Sequence, residues 1–245
     1  MGGPHPVTTI SAPAARFVAT HSLLTFDARH PFTAKSLADA QDMHRTVMSG
    51  FPGWVDDGSP DARSQMNVLS TWSLNLKEAR LHLVVQSGVP ADWDRIPRAA
   101  LAERPEVRTV DARYRAGDEL VFRTVVNAVR SRKSPSDAPT ARGKRVSHTT
   151  PEHARDWFAR RLQPAEEPAV APDGVVRIGA DADPGRLAVR LLPKATSNTA
   201  HRGLKLGRTE VKGRLTVTDP VAFVAALTRG IGHGRAYSCG LLLVR

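Results

Sequence analysis

Strand-forming and helix-forming stretches follow one another along this chain in the order strand, helix, strand, strand, helix, strand, and the order then begins again. That order builds a ferredoxin-like unit, and two units in tandem fit 245 residues. Ala15 to Phe26 is rich in β-formers and predicts a strand, followed by a polar loop from Asp27 to Lys35. Apolar residues at 37, 40, 43, 47, 48 and 51 recur at helical spacing, so a helix is expected from Leu37 to Phe51. Ser36 is its expected cap, and Pro52-Gly53 ends it. Val68–Leu76 and Arg80–Gln86 then read as strands joined near Lys77-Glu78, with room for a short helix in Pro90–Arg104. Two further strands, Arg108–Tyr114 and Leu120–Val129, flank a turn at Ala116-Gly117-Asp118.

The second half repeats the pattern. Thr150-Pro151-Glu152 opens a helix through Leu162, with proline in its first turn. Strands are expected around Val175–Ile178, Leu187–Leu192 and Val211–Val217. Thr218-Asp219-Pro220 caps a last helix to Arg229, a glycine-rich turn spans Gly230 to Gly234, and Tyr237–Val244 reads as the final strand. The expected class is α+β, two tandem ferredoxin-like modules at residues 1–114 and 115–245.

Charge separates the halves. Residues 1–112 carry 11 basic and 12 acidic side chains, whereas residues 113–245 carry 24 and 12, a net +12. Arginine supplies 28 of the 35 cations, and its planar fork suits phosphate. Codon bias explains arginine over lysine but not the lopsidedness, which points to nucleic acid as the partner. No apolar run reaches the length of a membrane span, and Met1–Ala14 lacks the basic-then-apolar pattern of a secretory signal, so a cytoplasmic protein is expected. A single cysteine, Cys239, excludes an internal disulfide and a cysteine zinc cage. No HExxH, CxxC, Walker loop or GxSxG motif occurs, so neither a metal nor a cofactor is expected.

His44 falls within the apolar arc of its helix, with Gln41 and Arg45 on one flank. A histidine so placed fits a packed core; beside a rim cation such as Arg45 it also fits proton transfer. Two basic stretches follow. Arg113–Arg145 holds nine cations, among them Arg123, Arg130, Arg142, Lys144 and Arg145. Arg186–Arg214 holds eight, with Arg202, Lys205 and Arg208 around Gly203 and Gly207, and reads as a hairpin able to enter an RNA groove. Aromatic residues are few, so recognition of backbone and shape is expected to outweigh base stacking. Gly230, Gly232 and Gly234 fit either a helix C-cap and turn or a close approach of backbone to phosphate.

Several of these segments resemble, in chain order, the CRISPR-associated endoribonucleases of the CasE (Cse3) type. Asp42-Met43-His44-Arg45 ending in Phe51-Pro52 resembles the family's first helix, and Val84-Val85-Gln86-Ser87 with Pro90 and Trp93 its next strand. Leu120-Val121-Phe122-Arg123 with Asn127 and Arg130 is similar to its basic central strand, and Gly143-Lys144-Arg145-Val146 to the segment after it. Thr218-Asp219-Pro220, Gly230-Ile231-Gly232 and Cys239-Gly240-Leu241-Leu242 are similar to its last helix, glycine loop and strand. The resemblance implies a double ferredoxin-like fold of the repeat-associated RNA-binding superfamily. It implies metal-free cleavage of a CRISPR repeat hairpin by 2′-hydroxyl attack, leaving a 2′,3′-cyclic phosphate, with the guide retained and other Cascade subunits as partners. The family histidine maps onto His44. Some members carry tyrosine where this chain has Gln41, so that task is either dispensable or falls to another group such as Lys35, Ser36 or Arg45. A non-catalytic RNA-binding subunit of a ribonucleoprotein fits the same basic half without needing His44.

Overall fold

The computed structural model describes residues 14–55, 59, 61–132, 144–197 and 203–245, and at Arg132, Lys144 and Arg145 the backbone alone. The first half runs β1 (Ala14–Asp27), α1 (Pro31–Ala38), α2 (Ala40–Met48), a short α3 (Ala62–Gln65), β2 (Leu69–Asn75), β3 (Arg80–Ser87) and β4 (Glu106–Arg115). Among the described residues its strands form one antiparallel sheet in the order β2-β3-β1-β4.

β1 is apolar on both faces, and each face meets a different core. Leu24 and Phe26 point toward Met43, Val47 and Phe51, beneath the first-half helices. Phe17 and Ala19, of opposite parity on the pleat, join a core made mostly by the second half. α1 lies mostly in Asp27–Lys35, the stretch expected as a loop, and the helix expected over Leu37–Phe51 is broken near its start, resuming only as α2. Asp39 breaks it with extended backbone (φ −134°) and accepts a hydrogen bond from the Gln41 N–H at 2.8 Å, an N-cap that outcompetes helix continuation. Ser36 caps nothing; its hydroxyl is 2.8 Å from that of Thr46, tying α1 to α2.

Between Arg115 and Glu119 the chain crosses to the second sheet. Its elements are β5 (Glu119–Val126), a β6 (Val129–Arg132) and β7 (Lys144–Ser147) hairpin, α4 (Pro151–Ala159), β8 (Ala180–Asp181), β9 (Ala188–Ser197), β10 (Leu204–Val217), α5 (Pro220–Arg229) and β11 (Leu242–Val244). The order is β11-β5-β10-β8, with β9 paired along β10, the same circuit as in the first sheet. Phe122 and Phe158 stack at 5.5 Å in its core, and Phe223 and Leu227 of α5 reach across to Tyr114 and β1. Gln86 of β3 donates to the Leu227 carbonyl at 2.7 Å in a buried bond between the halves.

Three expectations are corrected. Pro90–Arg104 holds one 3-10 turn, Arg98–Ala100, because its two prolines and paired aspartates favour turns. Val175–Ile178 makes only a bridge, Val170 to Val176. The final strand shrinks to Leu242–Val244, and Tyr237 ends a 3-10 turn ahead of it. Among the described residues no helix is long and apolar enough to cross a membrane.

Candidate functional site

α2 turns Met43 and Val47 into the first core and leaves His44 half-buried on its flank. That flank faces the second half. The His44 ring lies 6.2 Å from the Tyr237 ring, with the planes inclined at 60°. The Tyr237 hydroxyl donates to Oε1 of Gln41, one helical turn before His44, at 3.5 Å. The turn carrying Tyr237 is bounded by left-handed backbone, Gly234 at φ 80° and Ser238 at φ 57°. Ser238 is held in that sparsely populated conformation by a buried hydroxyl contact to Ser70 of β2 at 3.0 Å.

Beside these groups a cleft of roughly 110 Å³ opens between the halves, lined by Ser36, Met43 and Trp72 on one side and Lys194, Arg208 and Tyr237 on the other. Burial first, and the Asp39 carboxylate second, raise the Tyr237 phenol above its ordinary pKa, so it stays protonated. Arg208, 3% exposed, lies flat on the Trp72 ring at 3.8 Å beside the Cys239 thiol. Its Nε and Nη2 lack hydrogen-bond partners among the described residues. Burial lowers its pKa, yet a guanidinium remains charged at neutral pH. The cleft lining therefore includes a buried guanidinium, two of whose nitrogens have no hydrogen-bond partner among the described residues.

Burial also pushes the Cys239 thiol up to about 11, despite the neighbouring guanidinium. A neutral, enclosed thiol is a poor nucleophile. Cys239 is expected to resist dithiobis(nitrobenzoate) in the folded protein at pH 8 and to react once guanidine unfolds it. Rapid stoichiometric labelling of native protein would contradict this enclosure.

Other residues singled out from the sequence divide into several groups. Arg45 turns to Asp42, with Nη1 2.7 Å from Oδ1, and Lys35 approaches the same oxygen at 3.8 Å. Its charge is thus engaged on its own helix, 100° around the axis from His44. Arg208 is withdrawn from the expected RNA-gripping surface. It lies three positions after exposed Lys205, which puts the two on opposite faces of β10. Arg123 binds Glu210 at 2.7 Å, as do Arg190 at 3.0 Å and Lys212 at 3.2 Å. Burial alone would raise the Glu210 pKa, but hydrogen bonds from Arg123 and Lys212 outweigh it and hold the carboxylate ionised. Three cations around one anion leave that patch positive. Arg130 is exposed on β6, beside a cavity of roughly 460 Å³ shared with His148, His153, Arg160 and Arg161. Lys144 and Arg145 lie in β7, opposite Arg132 and Ser131. Arg142 and Arg202 lie outside the described residues.

The glycines are explained chiefly by packing. Gly230 closes α5 by donating to Ala226 at 2.9 Å, and a Cβ there would come within 2.8 Å of Leu69. At Gly232 a Cβ would stand 2.7 Å from Trp157. The close approach these positions permit is made by the protein's own side chains, contrary to a phosphate-contact role. Gly234 begins the turn that delivers Tyr237. Sequence reasoning missed Tyr237, Trp72 and Lys194 as cleft residues. The chain has only two tyrosines, and Tyr114 is buried against Phe223, so the scarcity of phenols was the one available signal.

Two ferredoxin-like sheets with a cleft between them lined by Lys194 and Arg208, and a histidine beside the Tyr237 that also lines it, define a paired-module protein suited to holding an anion. The chain belongs to the CRISPR associated protein family, whose model matches residues 21–245. It is 27% identical over 214 residues to the CRISPR-associated endoribonuclease Cse3 of Thermus thermophilus, covering 86% of this chain and 92% of that one. Its fold is similar to Thermus thermophilus Cse3 bound to an RNA representing a pre-cleavage complex, with TM-score 0.66, 24% identity, and coverage of 94% and 100% of the two chains. It is also similar to Cas6e from Escherichia coli, with TM-score 0.61, 16% identity, and coverage of 92% and 98%.

Proposed function

We propose that this chain is a metal-independent endoribonuclease that binds a CRISPR repeat hairpin, cuts precursor CRISPR RNA and retains the guide product. The observation that carries this reading is His44 beside Tyr237, which lines a cleft whose other wall belongs to the strongly basic half. The named activity of the Thermus thermophilus relative and the RNA bound in its similar structure support it. Residues 1–114 present His44, and residues 115–245 supply the cationic surface for the hairpin.

The chemistry balances without a metal. A bond forms from the 2′-oxygen to phosphorus as the bond from phosphorus to the 5′-oxygen breaks. One proton leaves the 2′-hydroxyl and one reaches the 5′-oxygen, giving a 2′,3′-cyclic phosphate and a 5′-hydroxyl. His44 is the proton-transfer group, worth about 10²–10⁴-fold in rate. The cations lining the cleft and on the strands stabilise the charge gathering on the phosphate. A similar chain in a structure described as a CRISPR RNA-guided surveillance complex, at TM-score 0.53, supports assembly with other Cascade subunits.

The test is an end-labelled repeat hairpin incubated with the protein in EDTA. A single cut yielding a cyclic phosphate end is expected. Loss of cutting in EDTA with recovery in Mg²⁺ would overturn the metal-free mechanism. Tight binding with no cut under either condition would favour the non-catalytic subunit.

A further inference from the structure

Proton transfer by His44 does not itself place a hydrogen-bond donor on the non-bridging oxygens, where negative charge accumulates. We infer that Tyr237 is a second catalytic residue of this centre, its phenolic O–H donating to a non-bridging oxygen of the scissile RNA phosphate while His44 moves the proton. The inference rests on the endoribonuclease reading of the same site. No bond of Tyr237 is made or broken in this role; its proton stays on the phenol throughout.

Four observations converge on it. Tyr237 is the phenol at the cleft, its ring 6.2 Å from that of His44, so a phosphate reaching one ring lies within reach of the other. Its hydroxyl rests on Gln41 at 3.5 Å, a long contact that a charged phosphate oxygen would replace with a shorter, stronger one. The raised pKa keeps it a donor at the pH where an imidazole exchanges protons. The buried Arg208 cation and exposed Lys194 along the same cleft give a phosphate reason to settle there. Its position is also fixed in advance. Left-handed backbone on either side and the buried Ser238–Ser70 contact hold the turn against β2, so little ordering remains when substrate arrives.

Tyr237→Phe removes the hydroxyl and keeps the ring against His44. The measurements are single-turnover cleavage of the hairpin, its dissociation constant, the melting temperature, and the slowing caused by sulfur at each non-bridging oxygen of the scissile phosphate. The expected result is a rate about 100-fold lower with affinity and melting temperature unchanged. One of the two sulfur substitutions should slow the wild type more than the variant. Wild-type rate in Tyr237→Phe, a rate loss matched by lost affinity or melting temperature, or identical sulfur effects in both proteins would overturn the role. Wild-type protein that never cuts defeats the endoribonuclease reading. Wild-type protein that cuts, with an inactive His44→Ala and a fully active Tyr237→Phe, defeats only the assignment of Tyr237.

Discussion

His44→Ala is expected to lower the single-turnover rate by about 100-fold or more while hairpin affinity barely moves. Affinity should hold because the cations lie in the other half, on β5, β6, β9 and β10. Stability should hold because Met43 and Val47, not His44, fill the first core, so truncating a half-buried imidazole opens no sealed cavity. The wild-type rate should depend on pH through protonation of an imidazole, and the variant should lose that dependence. A folded, tightly binding variant that cuts at the wild-type rate would remove His44 from the mechanism. A large fall in melting temperature, with binding and cleavage lost together, would return it to a packing role.

The second large effect is on binding. The second half carries a net +12 even though many of its arginines are paired internally. Each RNA phosphate it neutralises releases counterion, so the logarithm of affinity falls linearly with that of salt concentration. With several phosphates engaged, affinity for the hairpin should drop by about 10³-fold between about 50 and 200 mM monovalent salt. Removing Glu210 by Glu210→Gln would free Arg123, Arg190 and Lys212 and steepen the slope, whereas Lys205→Ala would make it shallower. A flat salt titration would show that this half is not the RNA surface.

The two repeated circuits were legible where a strand carries its own β-forming run, as β1 to β5, β9 and β10 do, and where a helix carries its own start, as α4 and α5 do; the short β6, β7 and β8 have no such run. Thr150 and Asp219 cap α4 and α5 where their proline-flanked motifs predict. The break at Asp39 was missed because apolar spacing continues smoothly from Leu37 through Val47. Nothing in periodicity registers that one carboxylate can satisfy an amide better than another helical turn does. Arg208 was misplaced for a countable reason, since strand parity already separates it from Lys205. Tyr237 was the least legible residue. Its place beside His44 depends on two left-handed residues and a pairing of serines 168 positions apart, and no local pattern encodes such a contact.

The two-sided burial of β1 bears on how this molecule handles its product. Phe17, Ala19 and Tyr114 belong to the same core as α5, and the buried bond from Gln86 to Leu227 stitches across it. Prising the sheets apart would bring those side chains into water, at about 25 cal/mol for every Å² of apolar surface uncovered. The cleft therefore has walls of fixed separation rather than jaws. On the proposed function, a cut strand held in such a vise would leave only by breaking its phosphate contacts one after another, so slow release would follow from the scaffold itself.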